Sequence, residues 1–452
     1  MKAKLKFISA QCSLILFILL AVFPQSILAQ TNYYWSSPVR ALTGGGQPAG
    51  VAIDTAGNIF VADYNNNVIL KAAPSGTSWI VTTNWTATTI AGSTGNSGTT
   101  NGTGSAARFN QPYGVAVDST DNIYVADSGN NCIRKITPSG ANWIVTTIAG
   151  VADPDLTGTT NGINGAAQFS FPVGITIDAA GNLFIGDNGN DTIRKITHSG
   201  TNWITSTIAG SAATAGSYAD GTNGDAGFSD VLGVVVDAAD NVYVADGQNY
   251  VIRKVTPSGA NWITTTIAGQ VGNPGANDGT NFDAQFGLPY AMSVDNAGNV
   301  YVTDAGNNTI RRLTPSGTNW IVTTIGGLAG GTSGPPLVNG TNDAAVFSSP
   351  LGVAADSAGN IYVADTGDDA LRLGLIFPPL LQMTLATNQA TLFYPAFLGT
   401  NMNFNVQSAT NLSNNSWGFL TNKWKLATGG MPYVNLAVTN KVPDNFFRLH
   451  LP

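Results

Sequence analysis

Aspartate recurs at fixed intervals and is the residue type in this sequence with the clearest capacity for chemistry. A first series closes a short apolar run in each of six units (Asp54, Asp118, Asp178, Asp237, Asp295 and Asp356), and a second series follows nine residues later (Asp63, Asp127, Asp187, Asp246, Asp304 and Asp365). Grouped carboxylates can bind a divalent cation or act as general acids and bases. Asp at the start of a turn also accepts a hydrogen bond from the backbone two residues on. Because a catalytic residue is needed once, and these recur in every unit, turn formation is the favoured interpretation.

Two tyrosines interrupt the repetition at a single position. The residue after the leading proline of a unit is Tyr113 in the second unit and Tyr290 in the fifth. The other four units carry smaller aliphatic residues at this position (Ala49, Val173, Leu232 and Leu351). Tyrosine combines a stacking surface with a hydroxyl group, which suits a ligand site, and the alternative is that the two rings only fill a gap.

Basic and aromatic residues recur in the same units. The basic pairs are Arg134-Lys135, Arg194-Lys195, Arg253-Lys254 and Arg311-Arg312, and the tryptophans are Trp79, Trp143, Trp203, Trp262 and Trp320. We expect the third strand of a unit to point its charges outward, as partners of Asp127 and its equivalents or as a solvated edge. Repeated tryptophans could stack sugars, but packing between units is favoured because the residue marks every unit in the same way.

The composition excludes several classes of protein. The chain has 452 residues, all 26 acidic residues are Asp, and only two residues, His198 and His450, are histidines. A coiled coil needs Glu at heptad spacing, and a three-histidine metal centre needs a third histidine. The net charge of −7 argues against a nucleic-acid partner, including RNA on the basic pairs.

The units that carry these residues are about 60 residues long and read as four short strands each. In the second unit the strands are Gly114–Val117, Ile123–Ala126, Ile133–Ile136 and Trp143–Ile148, separated by turns rich in Gly, Asn and Asp. Six such units with evenly spaced turns predict an all-β fold, a six-bladed β-propeller, with a solenoid as the alternative.

The ends of the repeat predict how the ring closes. The sixth unit lacks a fourth strand after Ala370–Leu375, and Pro38–Gly44, ahead of the first unit, matches the fourth-strand pattern of Val145–Gly150. An N-terminal strand is therefore expected to complete the last blade, which removes the open sheet edges that favour aggregation.

The motifs Pro112-Tyr-Gly-Val-Ala-Val-Asp118, Asn122-Ile-Tyr-Val-Ala-Asp127 and Asn131-Cys-Ile-Arg-Lys135 resemble NHL repeats over residues 38–376. The resemblance implies a six-bladed propeller but no single activity, since this fold hosts binding modules and enzymes. Lactonase-like relatives use a Glu in a metal site, and lyase relatives use axial histidines. This chain has no Glu, and neither His198 nor His450 is expected on the axis.

The two ends of the chain predict export and a second domain. Lys2, Lys4 and Lys6, an apolar run over 7–23 and a small-residue cleavage site predict a signal peptide over residues 1–29. The propeller is expected over 30–376, a linker over 377–381 and a small β-sandwich-like domain over 382–452. This last segment, from Gln407-Ser-Ala-Thr-Asn-Leu-Ser413 to the Phe-Phe-Arg-Leu ending, resembles C-terminal modules of secreted planctomycete and verrucomicrobial proteins.

These observations predict a secreted, periplasmic or outer-surface protein that acts as a non-catalytic scaffold for an extracellular glycan, peptide or protein. A hydrolase or lyase with an axial Asp/Tyr site is the alternative. The candidate ligand-binding residues are Tyr113 and Tyr290 at the channel mouth and Asp127, Asp187 and Asp304 on the rim. No catalytic residue, metal site or cofactor is predicted, although a divalent cation on the rim stays open. We expect a monomer with no transmembrane segment after signal cleavage.

Overall fold

The computed structural model describes residues 32–40, 45–74, 85–328 and 337–377, and beyond these only seven short strands between residues 382 and 450. The predicted signal peptide over 1–29 lies outside the described residues. Within those ranges, no helix has the length and apolar character needed to cross a membrane.

The fold is an all-β, six-bladed propeller, as predicted, and each blade is an antiparallel sheet. The first strands are Pro48–Ile53, Pro112–Val117, Pro172–Ile177, Val231–Val236, Pro289–Val294 and Pro350–Ala355. The second strands are Ile59–Asp63, Ile123–Asp127, Leu183–Asp187, Val242–Asp246, Val300–Asp304 and Ile361–Asp365. The third strands are Val68–Pro74, Cys132–Ser139, Thr192–Ser199, Val251–Ser258, Thr309–Ser316 and Ala370–Phe377. The fourth strands of blades 1 to 5 are Trp85–Gly92, Asn142–Ala149, Asn202–Ala209, Asn261–Gly269 and Asn319–Gly326.

The loops that lead into blades 2 to 6 add a short fifth strand to the outer edge of the blade that follows. These strands are Gly102–Thr103, Gly162–Ile163, Gly221–Thr222, Gly279–Thr280 and Gly340–Thr341. Each is followed by a 3₁₀ turn: Gly104–Ala106, Asn164–Ala166, Asn223–Asp225, Asn281–Asp283 and Asn342–Ala344. Four more 3₁₀ turns join second and third strands: Ser128–Asn130, Asn188–Asn190, Gly247–Asn249 and Thr366–Asp368.

The N-terminal strand Asn32–Arg40 closes the ring by pairing with Ala370–Phe377, as predicted. It lies four residues earlier than the sequence pattern indicated, because Trp35 and not Val39 takes the place that Val145 has in blade 2. Trp35 is fully buried, and its indole nitrogen donates to the carbonyl oxygen of Ile325 in blade 5 at 2.9 Å. Closure therefore depends on a buried aromatic side chain as well as on strand pairing.

The core lies between the blades. Trp143 of blade 2 packs against Phe60 of blade 1 with ring centroids 6.1 Å apart, and Lys71 lies over both rings. The aromatic pair recurs around the ring as Tyr124–Trp203, Phe184–Trp262, Tyr243–Trp320 and Tyr362–Trp85. The tryptophans thus pack between blades, as the favoured interpretation predicted. In blade 1 the residue is Trp85, whereas Trp79 lies outside the described residues.

The third strands correct one expectation. Both charges of a basic pair were expected to point outward, but Arg134 is 0 % exposed and only Lys135 is partly exposed. Successive side chains of a strand point to opposite faces, so two neighbouring charges cannot share one face. The arginine is inside the blade and the lysine is between blades.

Seven strands follow the propeller and form two sheets. One contains Gln382–Ala386, Gln389–Phe393, Trp424–Leu426 and Val434–Leu436, and the other contains Asn405–Ala409, Gly418–Phe419 and Phe446–His450. The β-sandwich-like domain stays a prediction.

Candidate functional site

One end of the propeller axis gathers residues from five blades. The first strands surround the axis, and each begins opposite the last residue of the second strand, as Pro112 does opposite Asp127. Residues at the start of first strands and just after second strands therefore lie at the same end. We call this end the axial mouth and define it by Tyr64, Tyr113, Phe171, Asp230 and Tyr290.

The four aromatic rings of the axial mouth form one cluster around Tyr113. The ring centroid of Tyr113 lies 6.3 Å from that of Tyr290, with the planes 29° apart. Tyr64 lies 4.7 Å and Phe171 5.7 Å from Tyr113, at steeper angles of 53° and 67°. All four side chains are partly exposed. The two tyrosines that the sequence singled out thus meet across the ring, and their role in binding stays a prediction.

Burial and a nearby carboxylate set the chemistry of the two axial tyrosines. Burial raises the pKa of Tyr113 above its ordinary value and raises that of Tyr290 well above it, and the charge of Asp230 acts in the same direction on both. Both hydroxyl groups are therefore protonated at neutral pH and can donate hydrogen bonds. Neither supplies a tyrosinate base at that pH.

Asp230 is the acidic residue of the axial mouth. Its backbone has φ of 64°, a left-handed conformation that Asp tolerates better than most residues. The side-chain amide of Asn188 donates to its Oδ1 at 2.6 Å, and its own backbone N–H donates to Oδ1 of Asp191 at 2.7 Å. These bonds hold the carboxylate beside the ring cluster.

The axis holds a cavity of about 60 Å³, which Tyr113 and Tyr290 help to line. Backbone lines much of it, because adjacent first strands approach so closely that a Cβ at Gly114 would clash with the carbonyl oxygen of Val173. A cavity of this size admits water molecules but no sugar or amino-acid side chain of ordinary size. Ligand binding on the axis would therefore occur at the mouth.

The three candidate rim aspartates lie at the same end but face into their blades. Asp127, Asp187 and Asp304 are each 0 % exposed and pair with an arginine of the neighbouring strand at 2.7, 2.7 and 3.2 Å, respectively. Burial raises the pKa of Asp127 and Asp187 to about 6, against the lowering effect of the paired guanidinium. The geometry gives these carboxylates a structural role and does not bring them to the ring cluster.

Each buried arginine connects its blade to the loop that precedes it. Besides Asp127, Arg134 donates to the carbonyl oxygens of Arg108 and Thr100 and to the side-chain oxygen of Asn101, at 2.8–3.1 Å. Blade 1 has Leu70 at the equivalent position. The first strand of blade 1 begins only eight residues after the closing strand ends at Arg40, so no long loop precedes blade 1.

The first aspartate series forms turns at the opposite face of the propeller, as the favoured interpretation predicted. Oδ1 of Asp118 accepts the backbone N–H of Thr120 at 2.9 Å and that of Asn122 at 2.9 Å. The equivalent bond two residues on recurs at Asp178, Asp237, Asp295 and Asp356.

Tyr64, Phe171 and Asp230 were missed by sequence reasoning. The position of Tyr64 holds Ser128, Asn188, Gly247, Ala305 or Thr366 in other units, so an aromatic residue there also departs from the repeat. Comparison of every position across the six units, and not of one position alone, could have found all three.

Among the described residues, no cluster of three or more His, Cys, Asp or Glu side chains could hold a metal ion. The ring of His198 lies 4.5 Å from that of Trp203 at an angle of 45°, away from the axis.

Comparison with known proteins agrees with this fold. The NHL repeat model matches residues 46–71, 109–136 and 347–369. Protein SUPPRESSOR OF QUENCHING 1, chloroplastic, from Arabidopsis thaliana is 29% identical over 287 residues, which is 59% of this chain and 25% of that protein. The chain therefore spans about a quarter of the length of this relative.

Two solved structures are similar in fold. An auxiliary nutrient binding protein from Bacteroides thetaiotaomicron VPI-5482 has a TM-score of 0.54 at 15% identity, with 76% of this chain and 77% of the other covered. An auxiliary nutrient binding protein from Bacteroides ovatus ATCC 8483 has a TM-score of 0.53 at 14% identity, with coverage of 76% and 77%. At these identities the likeness concerns the fold.

Proposed function

Because the chain carries NHL repeats folded as a six-bladed β-propeller, we propose that it is a non-catalytic scaffold that binds an extracellular glycan, peptide or protein at the axial mouth. The observation that carries the proposal is that residues departing from the repeat converge there. Tyr64, Tyr113, Phe171 and Tyr290 come from different blades and form one partly exposed cluster. The residues that recur in every blade are occupied by turns, ion pairs and packing between blades.

The proposed setting is the cell exterior. A basic start, Lys2 to Lys6, followed by an apolar run supports export through a signal peptide. The same fold serves the two Bacteroides proteins described as auxiliary nutrient binding proteins, and a binding role is one that this fold supports.

A hydrolase or lyase that uses Asp230 and an axial tyrosine is the second candidate. The observation in its favour is that the charge of this carboxylate helps to raise the pKa of both tyrosines. Against it, both tyrosines are protonated at neutral pH and the cavity that they help to line is small. Turnover of a glycoside or lactone that is lost in Asp230→Asn would support this candidate.

The test of the binding proposal uses the full chain and a double variant, Tyr113→Val with Tyr290→Leu. Val173 and Leu351 occupy the equivalent positions of other blades, so both substitutions fit the local backbone. The probes are a glycan array and envelope fractions of the producing organism. We expect binding by the unaltered chain and its loss in the double variant.

The matched control is Tyr218→Leu, which removes a 40 % exposed tyrosine from a connecting loop. Its hydroxyl group contacts Thr266, and its ring lies against Arg253, away from the ring cluster. Equal binding by the unaltered chain and the double variant would refute the axial mouth as the binding site.

A further inference from the structure

The axial mouth carries a negative charge that no neighbouring cation neutralises. One residue of each unit directly precedes the first strand, and these six residues surround the mouth: Gln47, Gln111, Phe171, Asp230, Leu288 and Ser349. Asp230 is the ionisable member of this set. In the described part of the chain, none of the seven ion pairs includes Asp230. The lysines of the described propeller lie elsewhere, over aromatic rings between blades.

The position of Asp230 is fixed before any ligand arrives. Asn188 of blade 3 donates to its Oδ1, and Asp191, also of blade 3, holds its backbone N–H. One hydrogen bond thus attaches the carboxylate of Asp230 to the neighbouring blade, and a second attaches its backbone. A pre-positioned charge binds an opposite charge without the entropic cost of ordering a free side chain.

The axial mouth combines this carboxylate with aromatic rings, whose faces can attract a cation. Tyr64 and Phe171 meet Tyr113 at 53° and 67°, so the three rings do not lie flat on one another. A cation is attracted to the face of an aromatic ring when it lies within about 6 Å of the ring centroid. The chain already uses this chemistry between its blades, where the ammonium group of Lys195 lies 5.3 Å from Phe184 and 5.5 Å from Trp262.

We infer that the axial mouth binds an alkylammonium group. The rings of Tyr64, Tyr113 and Phe171 contact the cation, and the carboxylate of Asp230 is its counter-charge. This inference deepens the proposed binding function and rests on it. Of the two glutamines at the mouth, Gln111 donates to the hydroxyl group of Tyr64 at 3.2 Å and Gln47 is exposed, so methyl glucoside serves as the neutral comparison.

The experiment is isothermal titration of the full chain at constant ionic strength. The probes are tetramethylammonium chloride, tert-butanol as an uncharged molecule of similar size, and methyl glucoside. We expect saturable binding of tetramethylammonium and at least tenfold weaker binding of tert-butanol. Asp230→Asn should weaken tetramethylammonium binding at least tenfold, because the amide keeps the shape and the acceptor for Asn188 while it removes the charge.

The matched control is Asp240→Asn. Asp240 is an exposed turn residue at the opposite face, and its φ of 61° equals that of Asp230 within a few degrees, so both substitutions test charge at the same backbone geometry. Circular dichroism and the thermal midpoint would verify that both variants are folded. Asp240→Asn should bind tetramethylammonium as the unaltered chain does.

Three results would overturn the inference, and they differ in what they say about the mouth. Equal binding of tetramethylammonium and tert-butanol, or an unchanged affinity in Asp230→Asn, would show that charge does not contribute to ligand binding at the mouth. Methyl glucoside binding that is lost in Tyr113→Val, without any tetramethylammonium binding, would leave the mouth as a binding site for a neutral ligand. Absence of binding by all three probes would overturn the inference by itself. The proposed function would fall only if the glycan array and envelope fractions also bound the Tyr113→Val, Tyr290→Leu variant normally.

Discussion

Replacement of Arg134 by leucine should detach the loop that leads into blade 2. The guanidinium group is 0 % exposed and pairs with Asp127 at 2.7 Å, and its other bonds go to Arg108, Thr100 and Asn101 of that loop. Leucine is the residue that blade 1 carries at the same position, as Leu70, so the substitution fits the strand. What changes is the connection between the blade and its loop.

The expected cost follows from what the substitution leaves behind. Removal of one partner of a buried ion pair costs about 3–5 kcal/mol, because the remaining charge has no counter-charge. Asp127 would keep the backbone N–H of Asn110 and the amide of Asn130 as donors, which lowers that cost. The three loop acceptors each lose a bond from a charged donor, worth about 1.5–3 kcal/mol when considered alone. Water replaces these three bonds once the loop detaches, so we expect the unpaired Asp127 to dominate and Arg134→Leu to lower the free energy of unfolding by about 3–4 kcal/mol.

The assay is urea denaturation followed by circular dichroism, combined with limited proteolysis in buffer. Cleavage between Gly98 and Arg108 should increase in Arg134→Leu and not in Lys135→Leu, which removes a neighbouring, partly exposed charge from the same strand. The double variant Asp127→Asn with Arg134→Leu should lose less free energy of unfolding than the sum of the losses in the two single variants, because neither buried charge remains. A loss below about 1 kcal/mol with an intact loop would refute the role assigned to the arginine.

Three further predictions concern closure, the axial tyrosines and the thiol. Deletion of residues 32–40 removes the closing strand with Trp35, so size-exclusion chromatography should show aggregation through the exposed edge, and a monomer of unchanged thermal midpoint would contradict the closure. Burial raises the pKa of Tyr113 and Tyr290 above that of an unfolded tyrosine, so the stabilisation they provide is complete below pH 10 and decreases as the pH rises further. The difference in absorbance at 295 nm between the unaltered chain and the Tyr113→Val, Tyr290→Leu variant should therefore show their ionisation only together with unfolding, and a difference that titrates near pH 10 in the folded chain would contradict the raised pKa. Cys132 is buried with a raised thiol pKa, so a thiol reagent should label it only after denaturation, and rapid labelling of Cys132 in the native chain, located by peptide mapping, would show that this thiol is accessible.

Periodicity made the propeller predictable from sequence. It did not predict which of two neighbouring residues on a strand faces the interior. Twelve aspartates at constant offsets defined every blade, and the missing sixth fourth strand indicated closure. The pattern did not separate Arg134 from Lys135, because both are charged and only their alternation on the strand buries one of them. The closing strand was placed four residues too late because it carries Tyr33 and Trp35 where other fourth strands carry Trp and Val.

The candidate site was predictable in part, for a reason that follows from symmetry. Tyr113 and Tyr290 belong to units that lie opposite each other in a six-membered ring, so their contact could be anticipated from unit number alone. Tyr64, Phe171 and Asp230 lie in turns, where the repeat tolerates many residue types and one deviation attracts little notice. Their convergence depends on the left-handed backbone at Phe171 and Asp230, which sequence spacing does not reveal.

The closing strand also determines how the propeller would be presented by a tether. Asn32 pairs with Phe377, and Tyr33 reaches the turn at Gly359, so both ends of the described propeller lie at the face away from the axial mouth. Any segment that joins the propeller at residue 32 or residue 377 therefore joins it on that face. If the propeller were held to a surface through either end, the axial mouth would face away from that surface.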